Sequence, residues 1–389
     1  MAGARLGALL AIAILAGTVA AASNAWYQTS DFFCLYHGAR SLVLGHDPYD
    51  EVYWQSVTGG LYPNPLGGVA RSSCPGRYGY PLWTAVAMLP IGALPLEPAA
   101  IVWESLSIAA GLAGAWCAWR AARGPSRLAP LYGALVVSSQ PFWLLVVYGQ
   151  ITGVMLGLAG ALALFLSQRR ERAAGIALSS LAAKPQIVAL ALPVLVVSAI
   201  VRRRLRLLGA ALATAAAMVI VPMAFVPGWL LEWGDELSGR RIRVVSFLPT
   251  AWGFAGDWLG SSWIGAILIA AVAGSAWLLV RRVRVDGLGL LALSLPLSLF
   301  ATPYAWTYDF LVLAVSWSVV LARAVPPTGI RLGLLLVTVA LAGPIPWVLY
   351  AIAFARLNET LSAWISAATA LLVAIALRAG DASPSDASV

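Results

Sequence analysis

The first polar stretch of the chain, residues 24–79, carries side chains suited to acid–base chemistry. It contains "SDFFCLYHGARSLVLGHDPYD", with both histidines of the protein and several carboxylates. Asp31 comes first, just after an apolar run. A carboxylate that faces a cavity at a membrane boundary can act as the general base for an alcohol nucleophile. A Ser-Asp pair by itself is typical of a plain helix cap. Asp31 is a candidate base because of the polar and charged residues that surround it in this stretch.

Two segments supply polar and aromatic residues for an acceptor or sugar site. The predicted helix "FFCLYHGARSLVLG" has apolar residues at helical spacing, which is typical of an amphipathic helix at an interface. Aromatic rings also stack against sugars, although most aromatic residues of a membrane protein belong to its interfacial belts. The candidate acceptor or sugar-binding residues are His37, Arg40, His46, Asp47, Tyr49, Tyr304, Trp306 and Asp309.

The only lysine of the chain lies in "LSSLAAKPQIVALAL", among apolar and small residues. Arginine clusters end at Arg172 and resume at Arg202, and the segment between them is long enough for one membrane span of about 20 residues but too short for two. Pro185 disfavours helix in the residue before it. The sequence therefore predicts two half-length helices with Lys184 at their junction, near the outer boundary of the membrane.

"PFWLLVVYGQITGVML" contains a similar break, with Gly149 and Gln150 between two apolar runs. Discontinuous helices of this kind often mark substrate sites in membrane proteins. A polar residue at a short interhelical turn is the simpler interpretation of Gln150.

Several of these polar groups suit a lipid-linked phosphate, which Arg binds by bidentate contacts and Lys as a point charge. The basic segment "GRRIR" lies in a predicted outer loop, where positive charge is disfavoured. Contact with anionic lipid head groups also explains these arginines, and snorkelling or pairing with Asp257 or Asp309 also explains Lys184. The candidate donor-phosphate residues are Lys184, Gln150, Arg240, Arg241 and Arg243.

The composition defines the elements that must position these groups. The 389 residues are 61% hydrophobic and 11% charged, with a mean hydropathy of +0.84, which is too apolar for a soluble domain. The net charge is +9, and the basic residues cluster between apolar runs, which indicates cytoplasmic loops rather than nucleic-acid binding. The sequence predicts an all-α polytopic membrane protein of about 10–12 spans, some of them broken.

We expect one transmembrane domain over residues 1–377 and a disordered tail over 378–389. The outer segments are 24–79, 227–261 and the turn 301–309. The first predicted span ends in small residues that also resemble a signal-peptide cleavage site; we favour an uncleaved span. The candidate spans are 5–23, 80–96, 98–118, 128–148, 150–167, 173–200 (broken), 207–226, 262–280, 287–301, 307–322, 331–350 and 361–377, with 80–118 either two spans or a hairpin with one short leg.

The cysteines show no metal-binding spacing, and we expect neither a metal nor another cofactor. Cys34 and Cys74 lie in the same outer segment. They either form a disulfide, if that segment faces an oxidising compartment, or remain two thiols.

In order along the chain, four segments resemble family 87 of the GT-C glycosyltransferases, the polyprenyl-phosphate-mannose-dependent α-mannosyltransferases best known in actinobacteria. They are "SDFFCLYHGARSLVLGHDPYD", "YGYPLWTAVAMLPIGALP", "YGQITGVMLGLAGALALFLSQRRERAAGIALSSLAAKPQ" and "TPYAWTYDFLVL".

The resemblance implies a GT-C-type bundle, with Asp31 as the catalytic Asp of the first outer loop and Gln150 and Lys184 at the carrier phosphate. The chain departs from the pattern at Leu82, where a second proline is often seen, and at Asp309, where histidine is frequent.

The resemblance thus implies a plasma-membrane transferase of a hexose, with mannose favoured, from a polyprenyl-phosphate donor to a lipid- or glycan-linked acceptor. Transfer would be inverting and extracytoplasmic. The alternatives are an arabinose-dependent transferase, a flippase or transporter of lipid-linked sugars, and a noncatalytic scaffold. A flippase would need the broken helices and cations but no base.

Overall fold

The computed structural model describes residues 17, 27, 30–63, 69–72, 74, 76–239 and 247–381. Helices dominate these residues, and one short hairpin pairs Leu61–Pro63 (β1) with Val69–Arg71 (β2) in antiparallel register. Helices satisfy their own backbone hydrogen bonds, which the membrane interior requires. The chain is an all-α polytopic membrane protein, as predicted.

The α-helices are numbered in chain order within the described residues. They are α1 Asp31–Val43, α2 Glu51–Thr58, α3 Leu82–Ala87, α4 Leu89–Gly92, α5 Leu96–Ala121, α6 Ala129–Ser138, α7 Gln140–Tyr148, α8 Thr152–Ser167, α9 Glu171–Ser180, α10 Ala191–Val201, α11 Leu205–Ile220, α12 Trp229–Gly239, α13 Ala251–Trp258, α14 Ile264–Val280, α15 Gly287–Ala301, α16 Ala314–Arg323, α17 Ile330–Ala342, α18 Pro344–Arg356 and α19 Ala363–Asp381. Six 3₁₀ segments accompany them: Ser126–Leu128, Leu181–Ala183, Pro185–Val188, Val221–Ala224, Thr307–Leu313 and Thr360–Ser362.

Within the described residues, four helical segments are long and apolar enough to cross a membrane. They are Leu96–Ala121, Leu205–Ala224, Ile330–Arg356 and Thr360–Gly380. The pair Ser126–Ser138 and Gln140–Tyr148, bent by 57°, gives a fifth candidate, and four apolar helices are shorter. The predicted total of 10–12 spans stays a prediction, and span 5–23 lies, except for residue 17, outside the described residues.

Candidate span 80–96 was wrong. The segment forms two short helices, α3 and α4, and the long helix α5 follows. Proline is the physical reason, because Pro81, Pro90 and Pro95 each remove a backbone donor and restrict the residue before them. Within 80–118, Leu96–Ala121 is the described helix that is long and apolar enough to cross a membrane, and the two arrangements expected for the segment stay predictions.

The chain forms two compact units, and the first comprises residues 1–112, 143–154 and 212–243. Its described core holds Phe33 and Tyr78 with Trp54 and Trp229, and the Cys34–Cys74 disulfide lies inside it. The disulfide alternative is therefore the observed one.

The second unit comprises residues 113–142, 155–211 and 244–389. Its core forms where α15 and α16 pack against α19, with small residues such as Ala367 and Ala370 beside Phe300. Asp286 caps α15 by accepting a hydrogen bond from the Gly289 N–H at 2.7 Å. The final helix continues to Asp381, so the tail predicted from residue 378 begins as helix, and residues 382–389 lie outside the described range.

Candidate active site

Asp31 occupies the first position of α1, as the amphipathic pattern predicted. Ser30 precedes it in extended backbone, and its hydroxyl donates to the Tyr27 carbonyl at 2.9 Å rather than capping the helix. The positive end of a helix dipole favours an ionised carboxylate. Asp31 is only partly buried, so its position suits an ionised group that a substrate can reach.

Gly149 and Gln150 form the break between α7 and α8, also as predicted. Gly149 has a φ of +57°, and a β-carbon there would lie 2.7 Å from Phe32 Cβ. Only glycine satisfies both constraints without strain. The Trp103 indole N–H donates to the Gly149 carbonyl at 2.8 Å, which holds the break in place.

Gln150 directs its side-chain amide at the candidate base. Its Nε2 donates a hydrogen bond to Asp31 Oδ2, across 119 residues of sequence, and Gln150 is fully buried. An amide donor orients a carboxylate and favours its charged form. The first unit therefore brings together the predicted base and one of the five predicted phosphate ligands.

Helix α1 does not bring Arg40 to the same place as Asp31. Nine residues at about 100° each put the two side chains on opposite faces of the helix, and Arg40 Nη1 donates to the Gly92 carbonyl at 3.2 Å. His37 packs edge-on against Phe33, with ring centroids 4.3 Å apart. Burial, assisted by Arg40, lowers the pKa of His37 to about 4, so this imidazole is neutral at pH 7.

The residues after α1 have contacts of their own. His46 stacks on Tyr53, and the buried Tyr49 hydroxyl donates to the Tyr80 carbonyl at 2.7 Å. Burial and a hydrogen bond with Asp47 together raise the pKa of Glu232 to about 7. The predicted role of His46, Asp47 and Tyr49 at an acceptor stays a prediction.

In the second unit, Lys184 lies at the predicted helix break. Helix α9 ends at Ser180, two 3₁₀ turns flank the lysine, and α10 begins at Ala191. Lys184 itself has φ −132° and ψ 80°, outside the helical region. Its side chain is 4% exposed, so a cation is buried where the helix is interrupted.

The ammonium of Lys184 contacts Asp309. The distance from Nζ to Asp309 Oδ1 is 2.5 Å, and Nζ lies 4.5 Å from the centroid of the Tyr308 ring. Asp309 Oδ2 accepts the Trp306 N–H at 3.1 Å. Of the two explanations that competed with phosphate binding, pairing with Asp309 is the observed one, so an anion that binds Lys184 must share or displace this carboxylate.

The turn before Asp309 presents aromatic rings. Tyr304 is 48% exposed and its hydroxyl accepts the Trp306 indole N–H at 3.1 Å. Trp306 also packs beside Phe247 and Tyr308. An exposed aromatic surface of this kind suits a sugar ring, and the predicted binding role of Tyr304 and Trp306 stays a prediction.

Residues 78–306 match the family model of glycosyltransferase family 87. The chain belongs to glycosyltransferase family 87. A search of curated proteins and a search of solved structures find no match. Membership indicates a multi-pass membrane glycosyltransferase with sugar donor and acceptor substrates. The matched region includes Gln150, Lys184 and the aromatic turn, whereas Asp31 and Asp309 lie outside it.

Three residues of this family 87 chain connect to the Lys184 site although the sequence did not single them out. Gln140 Nε2 donates to Thr307 Oγ1 at 3.1 Å, and Glu359 Oε2 accepts the Thr307 N–H at 3.0 Å. A lone carboxylate between two apolar runs, as in "RLNETL", was the signal that could have indicated Glu359.

The family 87 chain has no group of three or more His, Cys, Asp or Glu arranged to hold a metal ion within the described residues. The predicted phosphate ligands Arg240, Arg241 and Arg243 lie outside the described residues. Their assignment stays a prediction.

Proposed function

We propose that the protein transfers a hexose, mannose by preference, from a polyprenyl-phosphate donor to a lipid- or glycan-linked acceptor on the outer face of the plasma membrane. The observation that carries this proposal is the Asp31–Gln150 contact in a chain of glycosyltransferase family 87. It supplies an oriented, substrate-accessible carboxylate at the start of a helix. The Cys34–Cys74 disulfide supports the outward orientation, because disulfides persist in oxidising compartments.

In the proposed reaction, Asp31 takes the proton of an acceptor hydroxyl while that oxygen attacks the anomeric carbon. The new glycosidic bond forms as the bond from carbon to the phosphate oxygen breaks, and the electron pair leaves with the polyprenyl phosphate. Attack from the opposite face inverts a β-linked donor to an α product.

Lys184 is proposed as the cation for the carrier phosphate. Its burial makes it suited to stabilise negative charge that develops on a leaving group, because hydrogen bonds and charges act more strongly where water is excluded. The Lys184–Asp309 contact keeps this cation in a fixed position before the donor arrives. Gln150, Arg240, Arg241 and Arg243 are retained as candidate ligands of the phosphate.

The test uses membranes that contain the full chain and radiolabelled polyprenyl-phosphate mannose. We expect labelled product with the wild type and a loss of at least about 100-fold with Asp31→Asn, the range for a removed general base. The matched control is Glu51→Gln, because Glu51 is an exposed carboxylate of the same unit whose surface ion pair contributes little.

Three results would contradict the proposal. Transfer by Asp31→Asn at the wild-type rate would rule out Asp31 as the base. Transport of the lipid-linked sugar by the wild type without any transfer would favour a flippase, which needs no base. Transfer from polyprenyl-phosphate arabinose, but not from the mannose donor, would contradict the assigned sugar.

A further inference from the structure

Glu359 lies in the short link between α18 and the Thr360–Ser362 turn, and several segments of the second unit meet there. Its side chain accepts the Thr307 N–H at 3.0 Å, and its own N–H donates to the Phe247 carbonyl at 2.9 Å. The adjacent Asn358 Nδ2 and Thr360 Oγ1 each donate to Asp257 Oδ2 at 2.9 Å. The link is therefore anchored on both sides of Glu359.

Thr307 begins the 3₁₀ segment that contains Asp309. Because Asp309 contacts Lys184, Glu359 is connected to the lysine through one turn of backbone and one ion pair. Asp309 and Lys184 are both buried, so the turn has little freedom to move without changing the ion pair. A change in the charge of Glu359 therefore alters the electrostatic environment of the Lys184–Asp309 pair.

Burial and the negative charge of Asp309 favour the protonated form of Glu359. Asp309 on the turn acts directly on Glu359, and Lys184 contacts Asp309. Asp257 on α13 accepts hydrogen bonds from the residues on both sides of Glu359, and Arg356 lies three residues before it in the chain. Burial, with a smaller contribution from repulsion by Asp309, raises the pKa of Glu359 to about 7 against the opposing effect of the hydrogen bonds from Thr307. Near neutral pH, the protonated and the ionised forms of Glu359 are therefore both populated.

We propose that Glu359 is a positioning residue that takes up a proton when an anionic phosphodiester binds at Lys184, so that donor binding and the charge of Glu359 are coupled. The inference rests on the proposed function, in which Lys184 binds the carrier phosphate. With Glu359 ionised, Lys184, Asp309 and Glu359 together already carry one net negative charge. A phosphodiester adds another, and a proton on Glu359 offsets it.

The sign of the effect follows from linkage. A bound phosphodiester is a further like charge, and a like charge raises a carboxyl pKa. Coupling is reciprocal, so the protonated protein binds the donor more tightly. Donor affinity is then highest below the pKa of the donor-free protein, about 7, and falls as pH rises toward the higher pKa of the complex.

The experiment measures binding of polyprenyl-phosphate mannose to the purified full chain in detergent, without acceptor, between pH 6 and pH 9. A sugar phosphodiester keeps a single charge over this range, so its own titration does not contribute. We expect the wild-type Kd to rise by about three- to tenfold across the range, since one unit of pKa shift corresponds to about tenfold. Calorimetry at pH 7.5 in two buffers of different ionisation enthalpy should show uptake of a fraction of a proton.

The key variant is Glu359→Gln, whose amide oxygen can still accept the Thr307 N–H. We expect its Kd to be independent of pH and its binding to take up no proton. The control, Glu51→Gln, should keep the wild-type pH dependence.

The outcomes separate this inference from the proposed function. If the folded wild type binds no polyprenyl-phosphate mannose at any pH, the proposed function fails. If wild type binds the donor with no proton uptake, or if Glu359→Gln retains the wild-type pH dependence, the coupling at Glu359 is overturned. The calorimetric result on the wild type stands even if Glu359→Gln does not fold.

Discussion

At the scale of single residues, Lys184 and Asp309 form a buried ion pair in the second unit. A buried ion pair is weak evidence of net stability, because removing two charges from water offsets most of their attraction. Removing one partner is different, since the other charge stays buried without compensation. The pair therefore holds the cation in place more than it stabilises the fold.

We predict that Lys184→Met and Asp309→Asn each lower the free energy of unfolding by about 3–5 kcal/mol. The double variant should lose clearly less than the sum of the two, because no charge is then left alone. Unfolding of the purified protein in mixed micelles measures all three, with the exposed Arg282→Met as control. Additive losses would mean that the two side chains do not act as a pair.

At the scale of elements, close helix packing depends on small residues. A β-carbon on Gly160 of α8 would lie 2.0 Å from the Gly114 carbonyl oxygen of α5. Such contacts between helix backbones are typical of membrane proteins, where small residues allow helices to approach. The close approach of α5 and α8 in the second unit therefore depends on glycine at this position.

We predict that Gly160→Ala destabilises the protein by about 1–3 kcal/mol or more, as expected for an overpacked contact. This loss opposes the gain of about 1 kcal/mol that alanine gives in a helix interior. Gly274→Ala is the matched control, because a β-carbon there meets nothing within 4 Å. It should be neutral or slightly stabilising; an equal loss at both positions would remove the packing explanation.

At the scale of the whole molecule, the sequence predicted the features that depend on neighbouring residues, such as the start of a helix or a break in it. Pro185 and the short distance between the arginine clusters at Arg172 and Arg202 located the break at Lys184. The helical spacing of apolar residues located the start of α1. Mean apolarity failed for 80–96, because it ignores prolines that interrupt a helix. The partners of Asp31 and Lys184 needed the structure, since hydrogen bonds such as Gln150 to Asp31 join residues 119 positions apart. Glu359 was missed for the same reason.

The orientation of the whole chain gives the last prediction. Arginine-rich loops normally stay cytoplasmic, whereas the Cys34–Cys74 disulfide belongs in an oxidising compartment. Val52, 83% exposed, lies close to this disulfide in the sequence, and the exposed Gln168 begins the arginine cluster at 168–172. These two positions should therefore lie on opposite sides of the membrane.

We predict that, with Cys117 replaced by Ala, a membrane-impermeant maleimide labels Val52→Cys on intact cells. Gln168→Cys should react only after permeabilisation. Labelling of Gln168→Cys on intact cells, with Val52→Cys protected, would invert the orientation and place Asp31 in the cytoplasm. Labelling of both on intact cells would contradict the assignment of the 168–172 cluster, because impermeant reagent reaches only the outer face.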